Sequence, residues 1–245
     1  MKKRIEKGPF FKAGELLKTG PPKIDLHMHT TWTDGKCTAE EMIQRAKDLG
    51  LKEIAFTEHL ADRSKWYERF MEHKSYYKSL CYPMKYYQCG EVKLADINGR
   101  LDLEESKIKS LDFLVGVLHR FPNEEGGYWS FQKLSAEKAM LLDYELSKIL
   151  LKNPLVDVFG HPSGVFSQFF GEYDRDMLRE LIDFAVENDK IIELNAGMRY
   201  RKVFDIILER CLELDCYISI GSDAHHIDEL GLAYNLLKQE IKRFN

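Results

Sequence analysis

Short apolar runs recur along the chain, separated by longer stretches of amphipathic pattern. The runs fall at residues 24–29, 53–59, 86–94, 111–119, 156–161, 191–195 and 217–225. Several are continuously apolar and rich in β-branched or aromatic residues, the pattern of strands buried on both faces. Between the first two runs, residues 38–49 bring Met42, Ile43, Ala46 and Leu49 onto one helical face. Thr38 and Glu41 are spaced as a capping box at its start, and Gly50 stands just past its end. Similar helices are predicted over 135–151, 174–188, 202–214 and 228–242. Strand and helix in regular alternation build parallel βαβ units, an α/β fold. Seven strands suit a closed or nearly closed barrel, with an open doubly wound sheet as the alternative. The chain lacks a G-x-G-x-x-G fingerprint, which weakens a dinucleotide-binding reading.

Ahead of the first run, residues 1–22 read as a basic N-terminal arm. It carries Lys2, Lys3, Arg4, Lys7, Lys12 and Lys18 and closes on Pro21-Pro22, which favours extended backbone. Residues 23–245 then form a single barrel domain. The 44% apolar and 12% aromatic content can fill its core, which excludes wholesale disorder. With 36 basic and 40 acidic residues the net charge is −4, so no general field attracts a long polyanion. No apolar stretch approaches the ~18 residues of a membrane span, and none follows the positive N-terminus as in a secretory signal. The five cysteines form no C-x-x-C pair and fit neither a disulfide framework nor a zinc-thiolate site. A reducing cytoplasm is the expected location.

The polar residues sit where the apolar runs end. His27 and His29 close the first run, on one face by period-two alternation. The others carry Glu58-His59, Glu91, His119, His161, and Asp223 with His225. The loops at the carboxyl ends of parallel barrel strands converge, so these residues are expected to meet in one mouth. His73 and His226 fall outside the set and read as solvated or structural. Imidazole and carboxylate without thiolate suit zinc, manganese or iron. The donors exceed what one ion can use, which implies two or three divalent ions. A carboxylate can bridge two ions and a neutral imidazole cannot, so Glu91 is the candidate bridge.

The segment from Asp25 to Thr30, Asp-Leu-His-Met-His-Thr, followed by Thr33-Asp34-Gly35, resembles the opening signature of the PHP (polymerase and histidinol phosphatase) family. Phe56-Thr57-Glu58-His59, Gly90-Glu91-Val92, His119, Gly160-His161-Pro162 and Gly221-Ser222-Asp223-Ala224-His225 resemble its later motifs, in order. Residues 96–102 look most like stand-alone PHP phosphatases and the PHP domain of family X polymerases. The resemblance covers about residues 23 to 235 and implies a distorted seven-stranded (βα)7 barrel with a trinuclear centre. On that pattern His27, His29, Glu91 and Asp223 hold one ion, and Glu91 bridges to a second completed by His119 and His161. Asp34, His59 and His225 hold the third. Where this chain has Glu58 the family usually has aspartate, and the extra methylene bears on how His59 is oriented.

The resemblance implies a metal-dependent phosphoesterase, in which a hydroxide bridging two ions attacks phosphorus and no side-chain nucleophile is needed. Small phosphomonoesters are the expected substrates, of the histidinol phosphate or nucleotide type, with nucleic acid only as short ends. Arg120, Arg199 and Arg201 are candidates to hold the phosphate, since a guanidinium offers paired donors. Asn195 reads as a supporting residue. The aromatic loops over 120–134 and 163–173 are candidate pocket walls. Competing readings are a TatD-like nuclease or an amidohydrolase, and a metal-stabilised module without turnover. The amidohydrolase reading calls for a carboxylated lysine where this chain has His119.

Overall fold

The computed structural model describes residues 8–244. Its sheet runs in the order β1-β8-β7-β6-β5-β4-β3-β2. The parallel members are β2 (Ile24–Asp25), β3 (Glu53–His59), β4 (Lys85–Lys93), β5 (Leu114–Val117), β6 (Val158–Phe159), β7 (Ile191–Asn195) and β8 (Tyr217–Gly221). Past β2 the chain reaches β8: the Leu26 amide donates to the Ile220 carbonyl at 2.8 Å, and Met28 bridges Ala224 in parallel. That contact joins the two ends of the parallel series into a barrel.

Helices fill most crossovers: α2 (Ala39–Asp48), α3 (Tyr67–Glu72), α4 (Lys74–Cys81), α5 (Glu105–Ser110), α6 (Ala136–Lys152), α7 (Gly164–Phe169), α8 (Arg175–Glu187) and α9 (Arg201–Leu214). The capping box of α2 forms as the spacing predicts. Thr38 Oγ1 accepts from the Glu41 amide at 3.2 Å, and Glu41 Oε2 accepts from the Thr38 amide at 2.7 Å. Met42, Ile43 and Ala46 are buried on its inner face. At the far end the single helix expected over 228–242 is broken. Gly231 takes φ +74°, so a 3₁₀ turn (Ile227–Glu229) precedes α10 (Leu232–Glu240).

The expected arm needs correction. Lys2, Lys3, Arg4 and Lys7 lie outside the described residues, but from Phe10 onward the chain packs on the barrel. Strand β1 (Phe11–Lys12) pairs antiparallel with the start of β8, Phe11 opposite Ile218, and α1 (Glu15–Thr19) follows. Phe10, Ala13 and Leu16 are buried. A buried leucine alone contributes roughly 1.5–3 kcal/mol, so this segment is anchored by apolar burial rather than held off by its lysines.

Candidate metal centre

The nine expected donors lie at one end of the barrel, on or just past the carboxyl ends of its strands. Across the β3–β4 pair, His59 and Glu91 are register partners. His119 and His161 stand two residues beyond β5 and β6, Asp223 and His225 two and four beyond β8, and Asp34 on the loop before α2. Glu91, nearly inaccessible, is at the middle. Its Oε1 lies 2.8 Å from His161 Nε2, 3.2 Å from His119 Nε2 and 3.5 Å from His27 Nε2. Its Oε2 contacts His59 Nδ1 and lies 3.9 Å from His29 Nε2. Asp223 Oδ1 lies 3.1 Å from His29 Nε2 and 3.5 Å from His27 Nε2. Asp34 Oδ1 lies 3.3 Å from His59 Nε2 and 3.4 Å from His225 Nε2.

Two donors bound to one ion at about 2.0–2.2 Å sit about 3–3.5 Å apart, so these separations suit shared ions. Three groupings have donor atoms within 4.8 Å of one another: His27, His29 and Asp223; His59, Glu91 and His119; and His29, Asp34, His59 and His225. His29 and His59 thus each reach two groups, where the resemblance implied one apiece.

The charge balance also suits cations. Burial opposes ionisation of Glu91, yet His119 and His59 hold it well below the usual carboxylate range; His29 does the same for Asp223 against the same burial. Burial lowers His29 to about 4, which leaves it neutral with a lone pair free on one ring nitrogen. For His27 and His59 burial is outweighed. Glu193 with Asp223 and Glu91 raises His27 to about 10, and Glu91 with Asp34 raises His59 to about 11. The buried carboxylates therefore require positive charge, from protons or from metal ions. His27 Nε2 and both ring nitrogens of His29 are buried and make no hydrogen bond. Unpaired buried donors and acceptors are costly, and these converge on the carboxylates, a donor set that could hold metal ions.

Supporting contacts hold the donors in place. His161 (φ +24°) and Asp223 (φ +54°) sit in the left-handed region, which costs of order 1–3 kcal/mol for a non-glycine residue and persists only where neighbours enforce it. His225 donates its Nδ1 proton to the Asp223 carbonyl at 2.8 Å, which leaves Nε2 to the site. Asp25 accepts from the Ser222 and Gly231 amides, both at 2.9 Å, and pins the loop carrying Asp223 and His225; burial raises it to about 6.

Glu58 does not act where expected. By strand alternation it faces away from His59, accepting from the Thr30 amide at 3.0 Å, from Thr30 Oγ1 at 2.7 Å and from Thr33 Oγ1. It therefore clamps the loop that presents Asp34. Another carboxylate, Glu193 on β7, touches His27 and was not among the expected donors. Its signal was a lone acid inside the apolar run 191–195, since a buried acid needs partners.

The sequence matches the PHP domain family over residues 25–197. The chain belongs to that family. It is similar to a "Probable phosphatase" of Caldicellulosiruptor saccharolyticus, 27% identical over 215 residues, spanning 83% of this chain and 80% of that one. A "Probable histidinol-phosphatase" of Thermotoga maritima is 22% identical over 239 residues, with 91% and 92% covered. The "DNA polymerase/3'-5' exonuclease PolX" of Bacillus subtilis is 25% identical over 222 residues, 88% of this chain but 36% of the polymerase. A crystal structure of the "putative histidinol phosphatase hisK from Listeria monocytogenes" shares the fold, with a TM-score of 0.70 at 20% identity over 87% of this chain and 99% of that one. The protein is thus a PHP-family hydrolase.

In this PHP barrel seven of the nine donors line a cleft of about 720 Å³, and His27 and His29 are fully buried and do not line it. Arg120 and Arg199 line it, as does Arg63, which the sequence reading passed over. Arg201 is exposed at the start of α9 and does not line the cleft, which corrects its place in the expected phosphate-binding set. Asn195 receives the Gly197 amide at 2.9 Å and shapes the turn before Arg199. Of the two aromatic loops, Phe131 packs on Phe169 at 4.9 Å between ring centres, and Phe169 reaches the cleft. Part of the loop expected over 163–173 is helix α7. His73 bonds the Arg69 carbonyl and His226 caps a 3₁₀ turn, so neither joins the site. Among the described residues no helix is long and apolar enough to cross a membrane.

Proposed function

We propose that the protein hydrolyses small phosphomonoesters, of the histidinol phosphate or nucleotide type, at a centre of two or three divalent ions: zinc, manganese or iron. The observation that carries this reading is the convergence of His27, His29, His59, His119, His161 and His225 with Asp34 and Asp223 around one buried carboxylate, Glu91. Ions bound there supply a water that ionises near neutral pH and positive charge for the phosphoryl oxygens. Arg120 and Arg199 line the same cleft, and Arg120 lies over the Tyr128 ring at 5.8 Å; a guanidinium at either position offers paired donors to a phosphate. Leu60, Val165 and Phe169 line the cleft too and offer the leaving group an apolar wall.

A metal-replete preparation assayed against histidinol phosphate, 3′- and 5′-nucleotides, short oligonucleotides and long DNA tests the proposal. Metal-dependent turnover concentrated on the small esters is expected. Processive degradation of long nucleic acid would favour the nuclease reading. No turnover of any ester with ions bound would leave the protein a metal-stabilised module.

A further inference from the structure

Glu193 stands in β7 with its carboxylate buried, and its two oxygens serve two different candidate ligands. Oε1 accepts from His27 Nδ1 at 2.6 Å. Oε2 accepts from the backbone amide of His161, also at 2.6 Å. To reach His27 beyond β8, the carboxylate passes over Gly221. A Cβ at that position would lie 2.7 Å from Glu193 Oε1 and 2.4 Å from His27 Cβ, so the contact exists only because glycine leaves the space open.

An ionised carboxylate only accepts hydrogen bonds, so both partners must donate. The His161 amide does so whatever its surroundings. His27 can do so only with a proton on Nδ1, and in the neutral ring that places the lone pair on Nε2. Nε2 is the atom that lies 3.5 Å from both Glu91 and Asp223 and makes no hydrogen bond of its own.

We propose that Glu193 is a positioning residue of the centre: it sets the His27 tautomer that can bind an ion through Nε2, and it holds the His161 backbone in its left-handed turn. The proposal rests on the metal-centre reading above and adds a residue that touches neither ion nor substrate. Glutamine in its place would keep the volume but supply one acceptor and one donor. With its oxygen on the His161 amide, its NH₂ would donate to Nδ1 and drive the His27 proton onto Nε2. The reverse orientation would set two donors face to face at His161.

Co(II) titration of the metal-free full-length protein, followed by visible absorption, tests this. Glu193→Gln is expected to weaken binding at the His27 group by roughly 10–100-fold, the range for lost partners of ligating histidines. In a His27→Ala background the same change is expected to add no further loss. Equal Co(II) affinity of wild type and Glu193→Gln would overturn the proposal, as would an equal loss with and without His27. A wild type that binds no Co(II) would overturn the metal-centre reading itself, which is a different result. Should Glu193→Gln fail to fold, the long-range ¹H–¹⁵N imidazole spectrum of Zn(II)-loaded wild type decides: a His27 proton on Nδ1 is expected, and one on Nε2 overturns the assignment.

Discussion

Asp143, on α6 beneath the helix that walls the cleft, makes stability depend on pH in a way that can be calculated. Both of its oxygens are buried without a hydrogen bond, beside the Tyr173 hydroxyl and near His161; Ser147 Oγ, one helical turn on, is buried and unpaired as well. Burial raises the carboxyl from 3.8 to about 7. The folded state therefore binds the proton more tightly than the unfolded state does. Its contribution is fully present below about pH 4 and is lost as pH rises through about 7. At about 1.4 kcal/mol for each tenfold change in proton binding, the interval is worth about 4 kcal/mol. Asp143→Asn keeps the shape and removes the charge. Urea unfolding of metal-free wild type and variant at pH 5, 6, 7 and 8 measures the difference. The variant should gain on wild type by about 2–3 kcal/mol, almost all of it between pH 5 and 7 and levelling off toward pH 8, with m-values unchanged. A difference constant to within about 0.5 kcal/mol would show that Asp143 does not take up a proton on folding.

Three substitution sets probe the centre directly. Glu91→Ala removes the carboxylate that five imidazole nitrogens share, and should abolish turnover with the fold retained by circular dichroism. Asp34→Ala, at the exposed rim, should leave partial activity, and equal mild losses from both would show that Glu91 is no bridge. Glu58→Ala frees the Thr30–Thr33 loop, so it should lower metal stoichiometry at the Asp34 group more than at the His27 group, as read by competitive chelation. Arg120→Ala and Arg199→Ala should each raise KM for a phosphomonoester roughly 10-fold or more, the value of a charge-assisted hydrogen bond, while Arg201→Ala leaves it unchanged.

The convergence of the candidate donors was legible in the sequence because their positions obey two simple rules. Imidazoles at period two in one extended segment share a face, as His27 and His29 do just past β2, and strand ends of a parallel barrel meet. What supports the ligands was not legible. Glu193 and Glu58 act through contacts between strands and loops far apart in the chain, and only the packed barrel shows which face each carboxylate takes. The packed N-terminus was hidden for a related reason: β1 has two residues, too few for a period, and depends wholly on its pairing with β8. Helices α3 and α4 begin at Trp66 and His73 with no side-chain cap, so no start signal marked them. Gly231 was visible in the sequence, but its break in the last helix shows only in its positive φ.

Elemental analysis of the purified, metal-replete protein measures whether this end of the barrel holds ions. Two to three transition-metal ions per chain are expected, falling when Glu91 is replaced. Well under one ion per chain, after incubation with zinc, manganese or iron, would mean that these donors do not form a metal centre.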